Sequence, residues 1–292
     1  MASVSDAARL SLKNILFPTD FSLASNTALP FARALAQAYG STLLFAHILP
    51  PAPHRRVVPD QLAAQDGRVW QEARYKLSEF ANDPGISDIP SKTLLDRGDL
   101  ADVIPEIIRE QEVDLVVLGT HGRRGVSKLV LGSGAEKIYR SASCPVMTVG
   151  PKAHCGEWKL GRILCPVDVQ QDPEPSLQYA LALAEENQAE FIVLQAVPMV
   201  PWQHRASVEV QMRERLERLI PARVRDWCRP HFLMRWEHPA EAVLLAAAEW
   251  EPDLIVMGVR QARAARLSVH LPWPVASEVV SRAPCPVLTV RV

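Results

Sequence analysis

Four segments of the first half of this chain recur in the second half, in the same order, and that repetition limits its fold more than any other feature. Asn14-Ile15-Leu16-Phe17-Pro18-Thr19-Asp20 returns as Arg162-Ile163-Leu164-Cys165-Pro166-Val167-Asp168, and residues 41–50 return as residues 189–198 at the same offset. Val113-Asp114-Leu115-Val116-Val117-Leu118-Gly119 returns as Pro252-Asp253-Leu254-Ile255-Val256-Met257-Gly258. Cys144-Pro145-Val146-Met147-Thr148-Val149 returns as Cys285-Pro286-Val287-Leu288-Thr289-Val290. Each is a short, nearly continuous apolar run, the pattern of a strand buried on both faces. In 292 residues, the pattern implies one domain duplicated, each copy large enough for its own core. The aperiodic, polar stretch 150–161 marks the boundary, so the expected domains are 1–150 and 151–292.

Within the first copy, strands alternate with helical patterns. Residues 22–39 carry Leu29, Ala32, Leu35 and Ala36 at helical spacing and stop at Gly40. Residues 60–81 form a second helix candidate, weakened by Gly67. A strand is expected at 91–96, then a helix over 100–111 with Val103, Ile104, Ile107 and Ile108 on one face. Strand and helix alternate through to the last strand, 144–149. The alternation calls for an α/β, Rossmann-like fold, a parallel sheet with helices on both faces.

The densest chemistry follows the strand at Val113. Gly119, Gly122, Gly125, Gly132 and Gly134 fall within sixteen residues, together with Arg123, Arg124 and Lys128, and no acid precedes Glu136. Glycines let a ligand approach backbone N–H groups closely. Those donors, the positive charge and a helix N-terminus suit an anion such as phosphate. Turn geometry also explains part of the pattern, because Ser133 and Glu136 spell a Ser-x-x-Glu capping box. Glycine density and the one-sided charge favour the anion.

Composition excludes several function classes. The net charge of −1 gives no global field for nucleic acid or an acidic membrane. No apolar run reaches the roughly 18 residues of a membrane span, and the start of the chain has no charged-then-apolar leader pattern. The five cysteines are widely spaced and form no Cys-x-x-Cys or zinc-like pattern. That usage fits a reducing cytoplasm with mostly buried thiols, Cys155 in the linker being the most exposed.

The spacing Gly119-x2-Gly122-x9-Gly132-Ser133 resembles the nucleotide-binding signature of the ATP-binding branch of the universal stress protein family. The opening Ile15-Leu16-Phe17-Pro18-Thr19-Asp20-Phe21-Ser22 and the close Cys144-Pro145-Val146 resemble that family too. The resemblance covers nearly the whole chain as two tandem domains, each of the adenine-nucleotide α-hydrolase-like type. It implies five parallel strands per domain in the order 3-2-1-4-5, with ATP at their carboxyl ends and magnesium as an optional companion. It also implies site residues. Pro18, Thr19 and Asp20 end the first strand, where Asp20 faces the nucleoside. The backbone of Ile48 contacts adenine, and Gly119 lies near the ribose. Gly122, Gly132, Ser133 and Gly134 hold the phosphates, with His121 and Arg123 beside them. Two alternatives stand at this point: Asp20 as the cap of the next helix, and His121 as a solvated loop residue. The resemblance further implies pairing of the two domains through their last strands, an intramolecular pseudo-dimer that leaves room for a homodimer of the whole chain.

The second copy departs from the signature. Gly258 is kept, but Gln261 stands where Gly122 does, and Trp273-Pro274 stand where Gly132-Ser133 do. Proline has no N–H to offer a phosphate, although Arg260, Arg263 and Arg266 remain. The expected function is therefore a cytoplasmic ATP-binding stress-response regulator, with its nucleotide in the first domain and a structural second domain. A slow ATPase or nucleotidyl-transfer enzyme on the same fold, and a ligand-free interaction module, are the competing classes. No Gly-x4-Gly-Lys-Ser/Thr loop supports P-loop phosphoryl transfer.

Overall fold

A computed structural model describes residues 10–51, 59–120, 132–153, 158–169, 174–197, 201–259 and 273–291. The chain divides into two compact units, one of residues 12–126 and 131–146, the other chiefly residues 147–292.

In the first unit, β1 (Asn14–Pro18), β2 (Thr42–Leu49), β3 (Ser91–Arg97) and β4 (Leu115–Gly119) form a parallel sheet in the order β3-β2-β1-β4. Their apolar runs supply the core, and Ile15, Leu16, Phe17, Leu43, Phe45, Val116 and Val117 are fully buried. The helices are α1 (Leu23–Asn26), α2 (Leu29–Tyr39), α3 (Pro59–Ala81), α4 (Leu100–Glu110) and α5 (Ser133–Ser141). α2 packs on β1, β2 and β4, whereas α3 packs on β2 and β3.

Two expectations need correction and a third holds. The helix expected over 22–39 is two helices, broken at Thr27 and Ala28. Pro30 is the reason: it has no N–H and crowds the carbonyl four residues back, so it starts a helix rather than continuing one. The helix expected over 60–81 is present as α3, which runs through Gly67. The Ser133–Glu136 capping box does not form. Gly132 is the N-cap of α5, without a side-chain cap, and Ser133 is already helical.

The second unit shows the 3-2-1-4-5 order in full. β6 (Arg162–Val167), β7 (Glu190–Ala196), β8 (His231–Arg235), β9 (Leu254–Val259) and β10 (Val287–Arg291) run β8-β7-β6-β9-β10, and β5 (Val146–Val149) lies beside β10. The helices are α6 (Glu174–Asn187), α7 (Trp202–Leu219), α8 (Pro239–Trp250) and α9 (Trp273–Arg282). Thr148, fully buried, donates its hydroxyl to the Val287 carbonyl at 3.1 Å.

One repeated residue has the same job in both units. Asp114 accepts the Lys13 and Asn14 N–H groups at 2.7 and 2.9 Å. Asp253 accepts those of Gly161 and Arg162 at 2.9 and 2.8 Å. Each carboxylate thereby ties the start of one strand to the start of its neighbour. Among the described residues no helix is long and apolar enough to cross a membrane.

Candidate functional site

Parallel strands put all their carboxyl ends on one edge, and ligands in such sheets bind where the strand order reverses. In the first unit that reversal lies between β1 and β4, because the chain leaves β1 toward β2 and β3 and then returns to β4. Short contacts knit this edge together.

The turn after β1 is built from its own side chains. Thr19, 6% exposed, donates its N–H to the Ala46 carbonyl at 2.8 Å. Its hydroxyl accepts from Phe21 N–H and lies 3.0 Å from the Ser25 hydroxyl. Pro18 is buried within β1, opposite Ala46. Both residues therefore shape the turn from inside. Asp20 is half-buried and accepts the Ser22 N–H at 3.0 Å. The cap of α1 is Ser22, which accepts from Ser25 N–H, so Asp20 does not serve as the cap. Phe21 sits at φ 62°, a left-handed conformation that costs a non-glycine residue energy and calls for support. The His47 ring supplies it, 4.3 Å from the Phe21 ring. His47 Nδ1 meets the Thr19 carbonyl at 2.7 Å, a contact in which only the nitrogen can donate. Ile48, half-buried one residue further along β2, is in register with Asp96 of β3.

Gly119 ends β4 fully buried. A Cβ there would sit 2.3 Å from the Ala24 carbonyl oxygen of α1, closer than atoms can approach. Glycine is thus required at 119 for α1 to pack on the strand end, whatever binds nearby. The carbonyl of the next residue, Thr120, accepts the Gly132 N–H at 2.7 Å, which joins the end of β4 to the start of α5. Gly132 has φ −59° and ψ 147°, a conformation open to any residue, and its N–H is engaged by Thr120. The first intrahelical bond runs from Glu136 N–H to the Gly132 carbonyl. Helix geometry leaves the N–H groups of Ser133, Gly134 and Ala135 with no intrahelical acceptor, and the helix dipole makes that end attractive to anions. Among the described residues, a Cβ at Gly134 would touch Leu100 Cδ1 at 3.4 Å, an ordinary contact.

α5 is also anchored from the side. Lys137 donates to Asp99 Oδ2 at 2.5 Å, and Asp99 Oδ1 caps α4 by accepting Ala101 N–H at 2.9 Å. The Lys137 hydrogen bond, then the Ala101 N–H, hold the Asp99 carboxyl below its ordinary range.

The edge therefore brings together Pro18, Thr19, Asp20, Ile48, Gly119, Gly132, Ser133 and Gly134. His121, Gly122 and Arg123 lie outside the described residues, as do Arg124, Lys128, Cys155, Gln261, Pro272 and the three loop arginines of the second unit. Sequence reasoning missed Thr120, Ser25 and His47. Only His47 left a trace, as a polar residue in the apolar run of β2. Its counterpart Gln195 does related work, accepting the Val169 N–H at 2.8 Å.

The chain matches the model of the universal stress protein family twice, over residues 11–150 and 159–291. A universal stress protein of Thermus aquaticus is 32% identical over 138 residues, which is 47% of this chain and 98% of that protein. The crystal structure of a universal stress protein from Archaeoglobus fulgidus covers 95% of this chain and 98% of its own, with a TM-score of 0.67 at 19% identity, a likeness of fold. A shorter universal stress protein, solved in complex with cAMP, covers 48% of this chain and 97% of its own at 22% identity and a TM-score of 0.36.

Proposed function

The chain belongs to the universal stress protein family, and from that premise we propose that it is a regulatory protein of the ATP-binding branch, acting in the cytoplasm in a stress response. In this reading domain 1–150 holds one ATP, with magnesium as an accompanying ion, and domain 151–292 is structural. The observation that carries it is the start of α5. Three small residues at the strand-order reversal present N–H groups that the helix does not use, within a chain segment that bears the family's glycine spacing. Asp20 and the Ile48 backbone, at the ends of β1 and β2, line the same edge for the nucleoside. Because Gly132 N–H serves Thr120, the phosphates fall to Ser133, Gly134 and Ala135, with Gly122, His121 and Arg123 contributing from the loop. The two domains join through their last strands as an intramolecular pseudo-dimer, a reading that the Thr148–Val287 bond beside β10 supports.

Mass spectrometry of ligand released on denaturing the purified chain, followed by titration calorimetry with ATP, tests this function. The expected result is an adenine nucleotide and a stoichiometry near one, from the donor count at α5. A protein that releases no nucleotide and gives no heat with ATP, AMP or cAMP sinks the proposal.

A further inference from the structure

The two units finish their second strands differently, at the place where the proposed nucleotide presents its base. In β2 the backbone groups of alternate residues face β1 and β3. Thr42 N–H meets the Lys13 carbonyl at 2.7 Å and Ala46 accepts the Thr19 N–H at 2.8 Å, whereas Leu43 N–H meets the Pro90 carbonyl at 2.8 Å and Leu49 accepts the Gly98 N–H at 2.9 Å. Ile48 therefore belongs to the set that faces β1. The β1–β2 pairing stops at Pro18 and Ala46, one step short of Ile48. The next carbonyl in line, that of Thr19, is engaged by His47 Nδ1 at 2.7 Å, and the Thr19 hydroxyl accepts the Phe21 N–H at 3.0 Å. Among the described residues, no backbone group of β1 or of the turn after it bonds the Ile48 N–H or carbonyl.

The second unit closes the same place. Glu190 N–H meets the Gly161 carbonyl at 2.8 Å, so Ala196, an even number of residues further along β7, faces β6. Here the pairing runs one step further, to Val167 and Gln195, the step that uses the Ala196 N–H. Gln195, 5% exposed, takes the rest: its Nε2 donates to the Ala196 carbonyl at 2.5 Å and its Oε1 accepts the Val169 N–H at 2.8 Å. Each end of the amide meets the partner its chemistry requires. Two exchanges account for the difference. Val167 stands where Thr19 does and has no hydroxyl for the N–H two residues on. Gln195 stands where His47 does and serves that N–H instead.

We infer that this pair, Thr19 with His47 or Val167 with Gln195, decides whether a unit can read a purine base, an inference that rests on the proposed nucleotide site. Thr19 and His47 are positioning residues. By engaging the Thr19 carbonyl, His47 leaves Ile48 with an N–H and a C=O side by side. The Watson–Crick edge of adenine, an acceptor beside an amino donor, matches them. Guanine presents the two in the reverse order, and a base that leaves buried polar groups unpaired is strongly rejected. Ala196 has both groups taken, so the second unit has no base-reading edge.

Calorimetry of the full chain with ATP, GTP and tripolyphosphate tests this. Wild type should bind ATP at least about tenfold tighter than GTP. Thr19→Val with His47→Gln writes the second unit's pair into the first. That variant should lose about tenfold or more in ATP affinity, bring the ATP-to-GTP ratio to within about threefold of one, and bind tripolyphosphate within about threefold of wild type. His47→Asn, whose amide nitrogen replaces Nδ1, should keep the ratio. Amide hydrogen exchange on the nucleotide-free chain reads the geometry directly: Ile48 should exchange at least about a hundredfold faster than Ala196, and the double variant should slow it. If the double variant fails to fold, His47→Ala against His47→Asn decides, and only His47→Ala should lose the preference for ATP. A wild-type chain that binds no nucleotide overturns the nucleotide site and this inference with it. ATP bound no more tightly than GTP, a double variant with the wild-type ratio, or an Ile48 amide protected as strongly as that of Ala196 overturns this inference alone.

Discussion

The passage from β4 to α5 in the first unit and from β9 to α9 in the second begin alike and end differently. Both strands reach a glycine, Gly119 and Gly258. β4 stops there, pressed by α1, whereas β9 continues to Val259, paired with Arg291 of β10. α5 follows a Gly132 cap and opens on Ser133 and Gly134; α9 opens on Trp273 and Pro274. Proline in a first turn suits a helix but offers no N–H, so the start of α9 is good for folding and poor for an anion. The duplication has kept what the sheet needs, the Asp114 and Asp253 clamps. It has changed the residues at the helix start, where the fold is permissive and a ligand would not be.

The largest effect should come from writing the second unit's residues into the first. Gly132→Trp with Ser133→Pro fills the cradle and removes the Ser133 N–H and hydroxyl. At roughly 1.5–3 kcal/mol for each bond to a charged group, ATP affinity should drop by about a hundredfold or more. Calorimetry checks this, with Asp168→Ala as the control that should leave the heat unchanged. Tight binding by the double variant would remove the site from α5, and loss of binding in Asp168→Ala would move it to the second unit.

The glycines themselves should separate by role. Gly119→Ala drives a Cβ into the Ala24 carbonyl and should destabilise the chain by about 1–3 kcal/mol in urea titrations without nucleotide. Gly134→Ala, inside α5, meets among the described residues just Leu100 of α4 at ordinary contact distance and should instead stabilise the chain by about 0.5–1 kcal/mol. Equal effects at the two positions would contradict the different reasons given for them.

The two Cys-Pro-Val segments sharpen the comparison by smaller margins. Cys285 is 7% exposed, and burial pushes its thiol up to about 12, whereas Cys144 is half-exposed. Thiolate is the reactive form, so a maleimide at neutral pH should modify Cys144 at least about tenfold faster than Cys285. Peptide mapping of the labelled chain reads the ratio, and equal rates would mean that the second unit opens as readily as the first.

The smallest effect concerns the Asp99–Lys137 tie, which is exposed and has no counterpart among the described contacts of the second unit. The Asp99 carboxyl is held below its usual 3.8, so it favours the folded state above that pH and loses this contribution as pH falls through its lower folded value. Asp99→Asn should therefore melt slightly lower than wild type at pH 7, and the gap should close below pH 3.8. A gap independent of pH would assign the effect to the α4 cap instead of the charge.

The sequence by itself determined the duplication, the class of sheet, the family and every described strand except β8, whose segment has no recurring counterpart among the four repeated runs. Apolar runs longer than a turn and shorter than a helix have few other places to go, and Leu115, Val116 and Val117 are buried as their pattern requires. It also marked the glycine stretch as the place to look. It did not distinguish the reasons for the glycines, because a missing side chain carries no label for what occupies its space. Gly119 answers to Ala24, a residue ninety-five positions away in the chain. Gly132 answers to no steric need in its own backbone angles. The sequence likewise offered Ser133 as a cap, and only the packing of α5 against α4, with the Gly132 N–H bonded to Thr120, moved the cap back one residue. Caps and close approaches are settled by where neighbouring elements dock, and that information lives in tertiary contacts, not in local pattern.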